Sequence, residues 1–311
     1  MAGSTLASPS ADAVAEARTK RVTPGMEAWR RFRRHRLAVL SAIILITMVL
    51  AVIVGPWLWP VQINEIDFAA MLEGPTAAHP LGTDDLGQDL LARILYGGRI
   101  SLAVGLAAML VAVIVGTVVG SIAGISRGSV DTGLMWLTDL FLSLPLIPLL
   151  LLVIYLFRDA LKEIAGPEVG MFILIVVVIG GFKWMPVARL VRAQFLSLRE
   201  KEFVEAARAL GASPLRLVVR HILPNALGPV IVAGTIDVAA AIITESTLSF
   251  LGLGFPSDIP TWGRILYDAR DYLDVAPHWA LFAGGSIFLV VLTINYVGDG
   301  LRDALDPRRV F

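Results

Sequence analysis

Six separate runs of roughly 20 apolar residues, each nearly free of charge, constrain this chain more than any other feature, because about 20 helical residues cross a hydrocarbon core of about 30 Å. They are Leu37 to Trp59, Ile100 to Ile125, Leu134 to Phe157, Val169 to Val187, Leu227 to Phe250 and Trp279 to Val297. In lipid every backbone N–H and C=O has to be bonded within the chain, so such runs predict helices. The expected fold class is all-α, a polytopic membrane protein with six transmembrane helices. Composition agrees: 56% of residues are hydrophobic, 17% are charged and the mean hydropathy is +0.75, more apolar than a soluble domain buries. Lipid is therefore a partner of the chain. The absence of Cys removes disulfides, thiolate metal sites and cysteine nucleophiles, and leaves the redox compartment open. His35, His79, His221 and His278 are scattered, so no metal enzyme is expected.

Residues 1–25 lack an apolar period and are expected to form a disordered cytoplasmic tail. The first apolar run follows a basic block and is too long for a cleavable leader, so it reads as a retained span. Residues 26–60 hold an N-terminal interfacial segment and the first span, 61–98 an external segment, 99–297 a five-helix core with a cytoplasmic loop at 189–226, and 298–311 a second cytoplasmic tail. Orientation follows from the basic residues: with the N-terminus inside, 20 of the 26 Lys and Arg fall on inner segments and 6 on outer ones. Both termini are thus expected in the cytoplasm. The block Trp29-Arg-Arg-Phe-Arg-Arg-His-Arg36 fits either a short interfacial helix or a plain positive-inside anchor.

Within the spans, Gly116, Gly120 and Gly124 recur every four residues and place a close-packing face on the second helix. Ala239, Ala240 and Ala241 suit tight packing in the fifth. Asp139 and Lys183 stand near the ends of the third and fourth runs, and the fifth carries Asp237 and Glu245. Charges inside a bilayer are costly unless paired or wetted, so these two acids either line a translocation path or bond between helices. Pro145, Pro148 and Pro186 mark bends or helix ends.

The segment from Arg189 to Ala226 is the most specific. Phe203, Ala206, Ala207 and Leu210 recur at i, i+3, i+4, i+7, which predicts a helix with one apolar face and with Glu202, Glu205 and Arg208 on its polar side. Gly211 follows at the usual place of a left-handed C-cap. Ser213 and Pro214 then fit N-cap and N1 of a second helix, with Leu215, Val218, Val219 and Ile222 on its face and Pro224 at its end. DNA recognition by such a helix-turn-helix is opposed by its place between two spans, its few basic residues and its alanine face flanked by glutamates. No nucleic acid is expected as a partner.

The run Glu205-Ala206-Ala207, then Gly211, then Ile222-Leu223-Pro224, resembles the EAA loop of ABC importer permeases. The usual Ile-x-Leu-Pro departs here, with His221 in the expected place of Ile. Three further runs resemble the second permease of dipeptide, oligopeptide and nickel importers: His79 to Arg93, Glu245 to Gly254, and Gly298 to Pro307. The likeness covers nearly everything after residue 30. It implies a type I importer permease of the MetI-like fold, in a bacterial cytoplasmic membrane. It further implies a heterodimer with a sister permease, one or two ATPase subunits, and an external substrate-binding protein. Glu205, Ala206, Ala207, Gly211, Ser213 and Pro214 would be the residues that couple to the ATPase. The substrate stays open among dipeptides, oligopeptides, glutathione and nickel.

A P-loop needs a Gly-Lys pair to reach the terminal phosphates of ATP. The four lysines here follow Thr19, Leu161, Phe182 and Glu200, so the chain is expected to be a non-catalytic subunit without a cofactor of its own, with ATP and Mg held by partners. A self-sufficient secondary transporter would instead couple an ion through Asp237 or Glu245. On the outside, Asp84, Asp85 and Asp89 are expected near the start of a helix that either receives the binding protein or caps the bundle.

Overall fold

The structure is a computed structural model that describes residues 24–126 and 128–305. Residues 1–23 of the expected 1–25 tail and the final Asp306–Phe311 lie outside the described residues, while Pro24 and Gly25 already belong to a helix. Among those described there is no strand, only an isolated bridge between Thr83 and Asp89. The described residues form eleven main helices, joined by loops and two short 3-10 turns: α1 Pro24–Arg34, α2 Arg36–Leu58, α3 Leu90–Ile125, α4 Ser129–Ser143, α5 Leu146–Ala165, α6 Pro167–Gly181, α7 Trp184–Leu198, α8 Glu202–Ala209, α9 Pro214–Phe250, α10 Trp262–Ala269 and α11 Pro277–Leu305.

Four of these, α2, α3, α9 and α11, are long and apolar enough to cross a membrane unbroken. The third and fourth expected spans are each a bent pair instead, α4 with α5 at 87° and α6 with α7 at 41°. Proline explains the sharper bend. Leu144 precedes Pro145, whose ring disfavours the helical region for it, and it is extended at φ −78°, ψ 140°. The gentler bend falls at Phe182 and Lys183, both with ψ near zero. Pro186 lies in the first turn of α7, where its missing N–H has no intrahelical partner to lose. Because α7 continues to Leu198, Lys183 stands midway along the α6–α7 pair rather than near its end.

The basic block forms a helix, α1, which packs against α11 through Phe32 beside Gly300 while Met26 and Trp29 stay exposed. A sharp turn at His35, whose ring accepts from the Ala38 N–H at 3.1 Å, then starts α2.

Helix α3 is the centre of the bundle and packs on α7, α9, α6 and α2. Its glycines at 116, 120 and 124 seat it closely on α7: a Cβ on Gly116 would stand 2.6 Å from Val187 Cβ, one on Gly120 2.5 Å from the Ala188 carbonyl, and one on Gly124 2.4 Å from Phe195 Cβ. Gly120→Val is therefore expected to cost roughly 3 kcal/mol of stability, read as loss of folded chain from detergent extracts. Gly133→Ala, where an added Cβ meets nothing within 4 Å, is expected to be neutral.

Pro56 lies inside α2 and cannot donate to the Val52 carbonyl. Arg99 of α3 supplies the missing donor, its Nε 2.6 Å from Val52 O, and it also bonds Ile53 O. Arg99→Met leaves that carbonyl unpaired in an apolar groove and should cost about 1–3 kcal/mol, lowering the melting temperature of the purified protein.

Candidate functional site

The loop after α7 is a braced arm. Helix α8 starts after Lys201 and buries only Val204, which is fully enclosed with Val191 and Phe195 of α7 and Leu217, Ile222 and Ala226 of α9. Ala207 lies partly against the same cluster. The α8 chain then reverses at Gly211, φ +82°, where the Gly211 N–H donates to Arg208 O and the Ala212 N–H to Ala207 O, each at 3.0 Å. That is the double bond pattern of a Schellman cap, and a side chain is strained at such a φ. Ser213 caps the next helix through Arg216 N at 3.4 Å, with Pro214 in its first turn.

The second helix does not end at Pro224 as the sequence suggests. Residues Leu217–Ile222 are π-helical, with the Leu223 N–H reaching back to Val218 O, and α9 runs on through Pro224 to Phe250. The wider π turn accommodates the proline without a break, and the Asn225 side chain donates to His221 O at 2.7 Å. The loop is thus continuous with a transmembrane helix, so any force on α8 passes through Val204 and Leu217 into α7 and α9.

The apolar residues that define the α8 period divide between two faces. Phe203, Ala206 and Leu210 point outward, with Leu210 89% exposed, and Leu215 at 73% and Val219 extend the outward set onto α9. Val204 and Leu217, which the period omitted, hold the arm to the bundle. Glu202, Glu205, Arg208 and Arg216 are exposed around the outward set. Exposed apolar side chains rimmed by charge are the character of a protein-docking surface.

Asp237 and Glu245 do not share a setting. Glu245 is fully buried and accepts from Ser249 Oγ at 2.8 Å and Thr261 Oγ1 at 2.9 Å, with Ser101 and Ser246 at 3.4 and 3.5 Å. It joins α3, α9 and the start of α10, where the Trp262 N–H also donates to Ser101 Oγ. This is the interhelical bonding role. Asp237 is half-buried and lies within Coulombic reach of Lys183 on the α6–α7 bend. Nothing in the sequence pairs Lys183 with it.

At the far end of the bundle, residues 79–93 form a lock rather than an open helix. Asp84 is buried, accepting from the Leu86 and Gln88 N–H groups at 2.9 and 2.8 Å, and lies 3.6 Å from Arg93 Nε. Burial pushes its carboxyl up from the ordinary value while Arg93 and the two N–H groups oppose that rise. Asp89 is the N-cap of α3 and also accepts from Trp59 Nε1. Gly87, φ +74°, admits no Cβ, which would sit 1.8 Å from Asp67 O. Of the three acids, Asp85 alone is partly exposed, accepting from Tyr272 OH at 3.2 Å. Asp84 is occupied in holding the turn and Asp89 in capping α3. Among the described residues no group of three or more His, Asp or Glu is placed to hold a metal.

The fold is thus a polytopic helical bundle with a short helix slung between two membrane helices. Over 70% of this chain and 96% of the other, it overlays the solved inward-facing structure of the MetNI methionine ABC transporter, with a TM-score of 0.54 at 21% identity. Residues 116–310 match the family of binding-protein-dependent transport system inner membrane components, and residues 23–75 match the N-terminal transmembrane domain of oligopeptide transport permease C. The chain belongs to that inner membrane component family. It is 43% identical to the oligopeptide transport system permease protein OppC of Escherichia coli strain K12, over 91% of this chain and 90% of the relative. It is 39% identical to the dipeptide transport system permease protein DppC of Alkalihalophilus pseudofirmus, over 92% and 91%. It is also 39% identical to the glutathione transport system permease protein GsiD of Shigella flexneri, over 92% and 91%.

Proposed function

We propose that this chain is the permease subunit of an ATP-driven peptide importer, lining the route across a bacterial cytoplasmic membrane with both termini inside. The observation that carries the reading is the α8 arm: an outward face of Phe203, Ala206 and Leu210, braced through Val204 onto two membrane helices. An ATPase subunit, or a fused pair, docks there and holds ATP and Mg. Glu205 offers a charge to a basic partner, the small side chains of Ala206 and Ala207 allow close approach, and Gly211, Ser213 and Pro214 set the angle between α8 and α9. Closure of the ATPases then tilts α7 and α9 and switches access between the two sides. A sister permease completes the route and an external binding protein delivers the substrate.

Peptides are the favoured substrate because relatives named for dipeptide, oligopeptide and glutathione transport all lie at about 40% identity, and glutathione is itself a tripeptide. The test is purification of the chain from its native membrane with its copurifying subunits, followed by uptake into proteoliposomes. ATP-dependent uptake of a labelled di- or tripeptide is expected. Uptake by the chain alone, without an ATPase, would contradict the reading, and uptake of nickel without peptides would replace the substrate.

A further inference from the structure

Lys183 and Asp237 lie within Coulombic reach of one another near the middle of the bundle, on helices that pack together, Lys183 midway along Pro167–Leu198 and Asp237 midway along Leu223–Phe250. Both are half-buried, and neither has a direct ion-pair or hydrogen-bond partner among the described residues. Half-exposed charges at that depth cannot face acyl chains cheaply, so such groups turn toward water or a polar ligand. The backbone supports the same conclusion. Phe182 and Lys183 leave the helical region at the α6–α7 bend, and irregular backbone inside a membrane is tolerated where it is buried in protein or lines a wet cavity.

Small side chains flank Asp237. On α9 the residues one turn either side of Asp237 are Ala233 and Ala240, both half-exposed and small. Glu245, by contrast, has its oxygens taken up by hydroxyls and offers nothing to a ligand.

We propose that Lys183 and Asp237 form a charged station in the translocation route that receives the two ends of a zwitterionic peptide, the ammonium of Lys183 taking the C-terminal carboxylate and the carboxylate of Asp237 the N-terminal ammonium. This rests on the peptide-importer reading. With no peptide present the two side chains neutralise one another across a gap wider than a direct ion pair, so an arriving zwitterion replaces one charge pairing by two.

The chain has no cysteine, so Ala240→Cys adds a single reactive thiol one turn from Asp237. In membranes holding the assembled transporter, a water-soluble, impermeant thiol reagent should label this cysteine. A saturating unlabelled tripeptide should slow that labelling at least fivefold. Lys183→Met and Asp237→Asn should each lower tripeptide uptake at least tenfold with the copurifying subunits retained, and the double exchange Lys183→Asp with Asp237→Lys should recover part of the loss. Labelling that the tripeptide leaves unchanged, in membranes that take the same tripeptide up, would overturn the station, as would full uptake by either single variant. Membranes that take up no peptide while nickel protects the cysteine would overturn the peptide reading, and the ligand assigned to the pair with it.

Discussion

Leu210→Asp is expected to weaken attachment of the ATPase about thirtyfold, the equivalent of the 2 kcal/mol that marks an interface hot spot, and to lower ATP-driven uptake with it. Leu210 is 89% exposed at the end of α8 and makes no contribution to the core of the chain. An aspartate there is solvated in the free chain and unpaired once an apolar partner closes over it, so its cost falls on docking and not on folding. Ala206→Arg acts through bulk on the same face and should have a comparable effect. Membrane levels of both variants should match the parent chain. Val204→Ala reports the other side of the helix: it opens a small cavity among α7, α8 and α9, reduces stability by about 1–2 kcal/mol, and loosens the arm from the helices it moves.

Glu245→Leu is expected to destabilise the folded chain by about 1–3 kcal/mol, the cost of leaving buried hydroxyls without their acceptor. The hydroxyls of Ser249, Thr261, Ser101 and Ser246 would lose their common acceptor in a fully buried position. Glu245→Gln should be mild, about 1 kcal/mol, because hydroxyls rotate and can accept from the amide. Thermal melting of the purified complex separates the three forms. If the leucine variant were as stable as the parent and defective only in transport, Glu245 would belong to the route and not to the scaffold.

Much of the bundle is legible in the sequence because a membrane leaves so few choices: a charge-free run of twenty residues has to be a helix, and glycines four apart have to meet a neighbour. The third and fourth runs show the limit of that reasoning. Hydropathy does not register the break at Leu144–Pro145, which Pro145 alone marks, or the looser one at Phe182–Lys183, since both sides of each remain apolar. The loop shows another limit. Periodicity placed Ala206 and Leu210 on an apolar face but could not tell a face meant for a partner from one meant for the core, and in an eight-residue helix a single valine, Val204, settles which side turns inward. Pro224 misled for a related reason, as a π turn absorbs a proline that would otherwise end the helix. The caps at Gly211 and Ser213 depend only on local backbone chemistry and stand where their residue types place them. The pairing of Lys183 with Asp237 spans 54 positions, and no local pattern announces it.

The account stands or falls on what touches α8. Ala206→Cys gives the otherwise cysteine-free chain one thiol on the outward face, and a short bifunctional reagent applied to native membranes would join it to whatever lies against it. Mass identification should return a peptide from a nucleotide-hydrolysing subunit, in a yield that changes when ATP is added. A cross-link only to lipid or to other copies of this chain, in membranes that transport normally, would contradict it.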